Sequence, residues 1–223
     1  MKSGIVFDLD ETLLDRRATL EAYAGLLWRD FDVGREAPQS HFVAEFLAID
    51  RNGYTPEPEI FDRLVRRFPG STLDPLEIAR HFSEFAWSRP TLAAGVASGL
   101  AGLRAARIPL GIITNGGTDS QRSKLQSTGL DRLVDHYLIS SEFGAAKPDS
   151  SIFLAMCSAL GIDASTSWFV GDHPVFDIWG ANRVGFRTIW LERSIPWPRE
   201  RDPCYTHAFP HVSAALQLLA RDA

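Results

Sequence analysis

Gly4-Ile5-Val6-Phe7-Asp8-Leu9-Asp10-Glu11-Thr12-Leu13-Leu14-Asp15 decides the fold. Ile5, Val6 and Phe7 form the short apolar run that a strand buried on both faces of a parallel sheet requires. The run stops at two acids spaced by one residue. In an open α/β sheet, ligands bind outside the carboxyl ends of the strands. Asp8 and Asp10 therefore stand where such an architecture puts its chemistry. On an ideal strand, residues i and i+2 face the same way, which predicts that both carboxylates enter one small space. Two unit charges about 4 Å apart repel by roughly 4 kcal/mol at an effective dielectric of about 20. A fold keeps such a pair where a cation, a proton or a function compensates. Taken alone, Asp-x-Asp also describes an acidic surface turn, and the rest of the chain decides between the two.

Beyond Asp15 the pattern becomes helical. Leu20, Tyr23, Ala24, Leu27 and Trp28 recur at helical spacing, and so do Phe42, Val43, Phe46, Leu47 and Ile49. Ile60, Leu64, Val65 and Phe68 make a third face. Leu76, Ile78, Ala79, Phe82 and Phe85 make a fourth, after the helix-start signal Asp74-Pro75. Breaks fall at Asp32-Val33-Gly34, Arg51-Asn52-Gly53 and Phe68-Pro69-Gly70. Residues 16–88 thus read as a compact helical insert, and its aromatic stripes read as helix-packing core.

Strands and helices then alternate. A helix is expected over 95–107 and a strand over 108–113, ending at Thr114-Asn115-Gly116-Gly117. A helix over 119–127 stops at Gly129. Tyr137-Leu138-Ile139 is the next strand, leading to Lys147-Pro148-Asp149. A helix over 150–160 follows, and then the strand Trp168-Phe169-Val170, ending at Gly171-Asp172-His173-Pro174-Val175-Phe176-Asp177. A strand over 187–191, a Pro-rich loop over 195–210 and a last helix over 212–220 complete the chain. This alternation implies βαβ units: an α/β fold with a Rossmann-like parallel sheet, helices on both faces, and an all-helical insert after the first strand. The expected division is 1–15 with 89–223 for the core, and 16–88 for the insert. Right-handed crossovers bring four polar sets to one sheet edge: Asp8, Asp10 and Thr12; Thr114 and Asn115; Lys147; Asp172 and Asp177.

Composition narrows the function classes. The 223 residues carry a mild formal net charge of −5 and 45% hydrophobic residues, enough for a sizeable core. No Lys/Arg run points to nucleic acid. No stretch approaches the roughly 18 uninterrupted apolar residues of a membrane span. The first residues do not read as a signal peptide, because Asp8 and Asp10 break the apolar run. Cys157 and Cys204 form no metal-type cluster or disulfide framework, so a reducing, cytoplasmic setting is expected.

The four sets, in their order, resemble the haloacid dehalogenase superfamily of phosphohydrolases, in its phosphatase branch with a helical C1-type cap. Phe7-Asp8-Leu9-Asp10-Glu11-Thr12 resembles the first motif, Asp-x-Asp-x-Thr, with Glu11 where many relatives have Gly. Ile113-Thr114-Asn115-Gly116 resembles the second and Lys147-Pro148 the third. Val170-Gly171-Asp172 with Asp177 resembles the fourth, acidic and metal-binding. The resemblance covers the whole chain, because residues 16–88 fall where the family carries its cap. It implies a phosphomonoester hydrolase with Mg²⁺ as cofactor, and a cap that closes over the site and selects the substrate.

Within that resemblance Asp8 is the expected nucleophile, since a carboxylate can attack phosphorus and divide one difficult step into two. Asp10 is the expected general acid and then base, and its backbone carbonyl is an expected metal ligand. Asp8 and Asp172 offer the hard oxygens Mg²⁺ prefers, and Asp177 stands behind them, orienting a metal water or Lys147. Lys147 is expected to neutralise the acids and hold phosphate. Thr114 and the amide of Asn115 are expected to hydrogen-bond phosphoryl oxygens. His173 reads as a loop histidine without a catalytic part. Arg16 and Arg17 read equally as contacts to an anionic substrate or as a solvated helix face. The expected partner is a small phosphate monoester, with no nucleic acid or membrane, on a monomer or homodimer. Two other readings stay open: a sugar-phosphate mutase, and a phospho-accepting signalling module, against which the insert and Asp10 both argue. Asp10 argues equally against a true dehalogenase, whose leaving group needs no acid.

Overall fold

A computed structural model describes residues 2–222. Along the chain, β1 (Ile5–Phe7) and β2 (Leu14–Asp15) precede four helices: α1 (Arg16–Asp30), α2 (Gln39–Asp50), α3 (Glu57–Arg67) and α4 (Pro75–His81). Then follow β3 (Thr91–Leu92), α5 (Val96–Ala105), β4 (Leu110–Thr114), α6 (Thr118–Thr128), α7 (Leu130–Leu133), β5 (His136–Ile139), α8 (Ser140–Phe143) and α9 (Ser150–Leu160). The chain ends with β6 (Trp168–Gly171), α10 (Gly180–Arg183), β7 (Arg187–Leu191), β8 (His207–Phe209) and α11 (Val212–Leu219). Two compact units result, residues 1–15 with 92–223, and residues 16–91. The helical unit thus runs to Thr91 rather than to 88, because Thr91 still packs with it: its amide donates to Thr19 Oγ1 at 2.9 Å.

In the first unit, six strands lie in the order β5-β4-β1-β6-β7-β8, each neighbouring pair parallel. From central β1 the chain builds outward to β4 and β5 on one side, then returns to build β6, β7 and β8 on the other. This reversal is the switch point at which open α/β sheets bind their ligands. Period-two alternation sorts β1 between two cores: Ile5 and Phe7 join one apolar cluster with α5 and α11, while Val6 joins another with Ile152, Phe153 and Met156 of α9. Cys157 lies in that second cluster, where burial pushes its thiol up to about 11.

The strand β8 corrects the expected loop over 195–210. His207, Ala208 and Phe209 pair in parallel with Ile189, Trp190 and Leu191. All three residues are only half-buried, so the backbone ladder holds this edge strand, and no apolar run announces it in the sequence.

The second unit packs α1–α4 around Leu20, Tyr23, Leu27, Phe42, Phe46, Ile60, Leu64 and Phe82. Asp74 begins α4 by accepting from the amides of Leu76 and Glu77. Among the described residues, no helix is long and apolar enough to cross a membrane.

Candidate active site

Each polar set lies at a carboxyl end of the sheet or in the loop just beyond. Asp8 follows β1, with its amide held by the Val170 carbonyl at 2.9 Å. Thr114 closes β4 and is buried. Lys147 lies in the loop before α9, and Asp172 immediately follows β6.

Lys147 is the hub. Its Nζ donates to Asp8 Oδ1 at 2.5 Å and pairs with Asp177 Oδ1 at 2.6 Å. Its side chain is 2% exposed. The Asn115 side chain fixes the backbone of this residue: Oδ1 accepts from the Lys147 amide and Nδ2 donates to the Lys147 carbonyl, both at 2.9 Å. The Asn115 side chain is thereby committed to tethering two loops, which the sequence did not reveal, and its backbone amide is what remains for a ligand. The peptide bond between Lys147 and Pro148 is cis.

Asp177 reaches the cluster because Gly171 has no side chain: a Cβ there would lie 2.5 Å from the Asp177 Cβ. Asp177 Oδ2 accepts from the His173 amide at 3.0 Å. The His173 ring accepts through Nδ1 from the amides of Val175 and Phe176, each at 3.1 Å, and stacks on Phe176. It caps the helical turn that carries Asp177. Trp190 Nε1 donates to the Asp172 carbonyl at 2.9 Å.

Asp8, Asp172 and Asp177 each place a carboxylate oxygen within 4.8 Å of the others, all three buried. Burial raises the Asp8 carboxyl, to about 7, against the pull of Lys147 and with the push of Asp177. Burial and then Asp8 raise Asp172 well above the ordinary carboxylate range. Burial lowers the Lys147 ammonium, but Asp177 and Asp8 outweigh it, and the net shift is upward. Lys147 is therefore held charged, and the acids carry the electrostatic strain. Among the described residues, no donor or cation reaches the Asp172 carboxylate. A hard divalent cation suits this set: oxygen donors, excess negative charge and a buried carboxylate without a partner. Asp8 and Asp172 would hold it, with Asp177 engaged by Lys147 and by the His173 amide.

Asp10 lies near enough to Asp8 to push the Asp8 carboxyl upward, and its own carboxylate has partners that strand alternation does not predict. The strand ends at Phe7, so the i, i+2 alternation does not extend to Asp10. Its carboxylate turns to α6, where Lys124 Nζ donates to Oδ1 at 2.9 Å and Oδ2 at 2.8 Å, and Gln121 Nε2 donates to Oδ2 at 3.0 Å. Neither α6 residue was singled out from the sequence. A signal was present: Gln121 and Lys124 share the inward face with Leu125, at the i, i+3 and i+4 spacing of a buried stripe. Glu11 sits at φ 60°, the left-handed region that favours glycine, with Arg193 Nε 3.7 Å from its carboxylate. Arg16 pairs with Asp50 in the helical unit: both of its terminal nitrogens bond that carboxylate, at 2.6 and 2.8 Å. Arg17 pairs with Glu21 on the surface.

Comparison with known proteins identifies the family. Residues 2–185 match the model of the haloacid dehalogenase-like hydrolases. The chain is 31% identical over 197 residues to a glyceraldehyde 3-phosphate phosphatase of Pyrococcus abyssi, covering 84% of this chain and 80% of that one. It is also 31% identical over 198 residues to the pyrimidine 5'-nucleotidase YjjG of Escherichia coli, covering 84% of each. In fold, it matches an L-2-haloacid dehalogenase of Xanthobacter autotrophicus with a TM-score of 0.70 over the whole of both chains, at 17% identity.

Proposed function

The chain belongs to the haloacid dehalogenase-like hydrolase family, and on that premise we propose that it is a Mg²⁺-dependent phosphatase of a small phosphorylated metabolite, working through an aspartyl-phosphate on Asp8. The observation that carries the reading is the Lys147 hub, which holds Asp8 at a switch-point strand end beside an unpartnered, buried Asp172.

Bound at Asp8 and Asp172, Mg²⁺ supplies positive charge to the transferring phosphoryl group. The chain's own residues do the rest. Lys147, Thr114 and the amide of Asn115 bind and orient phosphate oxygens. An Asp8 oxygen attacks phosphorus, the bond to the leaving oxygen breaks, and that oxygen takes the proton of Asp10. Asp10, now ionised, removes a proton from water. The water oxygen attacks phosphorus, the bond to Asp8 breaks, and phosphate leaves with the Asp8 carboxylate restored. The raised Asp8 carboxyl fits a site that becomes a good nucleophile only when further positive charge is present. Asp10 supports the phosphatase reading over dehalogenation, because an alkoxide needs a proton to leave and a halide does not.

The test is phosphate release from a panel of monophosphates, with Mg²⁺ and with chelator. The panel includes glyceraldehyde 3-phosphate and pyrimidine 5'-nucleotides, the substrates named for the two relatives. Release that needs Mg²⁺ and vanishes in Asp8→Asn is expected. A folded protein that releases phosphate from nothing, or an Asp8→Asn variant that keeps turning over, overturns the reading.

A further inference from the structure

The two acids of the first motif are served by two different lysines. Lys147 pairs with Asp8, and Lys124 pairs with both oxygens of Asp10. Lys124 is 3% exposed and Gln121 4%. A buried ammonium is kept in a fold only with a partner that repays its lost hydration, and here the partner is the acid assigned to proton transfer. Gln121 Nε2 is shared between Asp10 Oδ2 and the Asn115 carbonyl, at 3.0 and 2.9 Å. Both contacts are acceptors, which fixes the orientation of the amide. Gly116 makes the arrangement possible, since a Cβ there would lie 2.4 Å from Gln121 Nε2. The loop after β1, the loop after β4 and α6 are thus interlocked at one carboxylate. Gln121 Oε1 is buried beside it and accepts no hydrogen bond among the described residues, so this is a polar junction more elaborate than packing α6 on the sheet requires.

We propose that Lys124 and Gln121 are positioning residues for Asp10: they dock its carboxylate on the α6 side of the site, so that proton transfer and phosphoryl transfer use separate carboxylates, each held by its own lysine. The inference rests on the reading of Asp10 as proton donor to the leaving oxygen. Without the dock, the Asp10 carboxylate loses the three hydrogen bonds that set its place, and an acid that must meet a leaving oxygen at hydrogen-bond distance loses its effect when displaced by about 1 Å.

The experiment compares two leaving groups, an alkyl monophosphate from the panel and 2,4-dinitrophenyl phosphate, whose phenolate leaves without a proton. Asp10→Asn is expected to slow the alkyl ester by about 10²–10⁴-fold and the dinitrophenyl ester far less. Lys124→Met is expected to slow kcat for the alkyl ester by roughly 10–100-fold, with KM nearly unchanged and the dinitrophenyl ester spared. That loss should disappear when Lys124→Met is placed on Asp10→Asn. Gln121→Met, which keeps the ion pair, should show the same discrimination at about 3–10-fold, and it decides the matter if Lys124→Met does not fold. Equal slowing of both esters, no slowing, or losses that multiply in the double variant overturn the inference while the proton-donor reading stands. If Asp10→Asn itself fails to distinguish the leaving groups, that reading falls and takes the inference with it.

Discussion

The helical unit and the sheet edge both bury a cation against carboxylates, and they complete the job differently. In the helical unit, Arg16 meets Asp50 with two nitrogens on two oxygens, side chains 11% and 3% exposed, and Asp50 also accepts from the Gly53 amide at 3.0 Å. Charge balances and every strong acceptor is used. At the sheet edge, Lys147 faces Asp8 and Asp177 together, and Asp172 stands near with no cation of its own. Balanced buried charge is architecture. Unbalanced buried charge persists only where something else arrives to complete it, and that asymmetry separates the site from the scaffold more sharply than burial alone.

The strongest way to break the comparison is to remove each cation. Lys147→Met leaves three buried carboxylates without one. Turnover is expected to fall by at least about 10³-fold, and unfolding stability by about 3–5 kcal/mol. Mg²⁺ should recover part of the stability and none of the turnover. Thermal melts with and without Mg²⁺, beside phosphate release, check both. A Lys147→Met protein that melts like wild type would show that the cluster is not strained. In the helical unit, Arg16→Met should cost about 3–5 kcal/mol by stranding Asp50, with turnover per folded molecule unchanged. The double variant Arg16→Met/Asp50→Leu should regain most of that loss. If it stays as unstable as the single variant, the pair is not self-contained.

What the sequence disclosed follows the same line. Asp8, Thr114 and Asp172 were legible because each ends an apolar run, and a strand end is a local signal; Lys147, in the loop before α9, was legible from its place in the ordered set of motifs. The edge strand β8 was not, because His207-Ala208-Phe209 takes its stability from the β7 backbone. Lys124 and Gln121 were missed because a helix that looks polar all round hides which polar residues face inward. Partners distant in the chain explain their burial, Asp10 for both and the Asn115 carbonyl for Gln121. The partners of Asp10 went unread for a related reason: the strand stops at Phe7, and alternation says nothing beyond a strand's end.

A smaller effect sharpens the contrast through pH. Burial raises the Asp8 carboxyl to about 7 in the folded chain, from an ordinary 3.8. The folded state therefore holds a proton that the unfolded state releases. The stability this contributes is complete below the unfolded value and is lost as pH rises through about 7, with a slope of at most about 1.4 kcal/mol per pH unit. Chelator-treated protein should melt progressively lower between pH 5 and 7.5, and Asp8→Asn should flatten that trend. A wild-type melting curve that rises across this interval, with Asp8→Asn parallel to it, would show that Asp8 is not held under strain.

The smallest effect has the opposite sign and lies in the helical unit. A hydrogen bond from Arg29, and after it one from His81, holds the Asp30 carboxyl below its ordinary value. Its contribution is present above pH 3.8 and disappears as pH falls through the lowered folded value. Asp30 lies at the surface and water screens it, so Asp30→Asn should cost no more than about 0.5 kcal/mol at neutral pH. The difference from wild type should shrink between pH 5 and 3 and weaken in salt. One chain would then carry two carboxylates whose pH slopes oppose each other, the buried one resisting ionisation and the surface one favouring it. A difference that grows as pH falls would mean that Asp30 is not stabilised as an anion, and the contrast between the two regions would lose its second half.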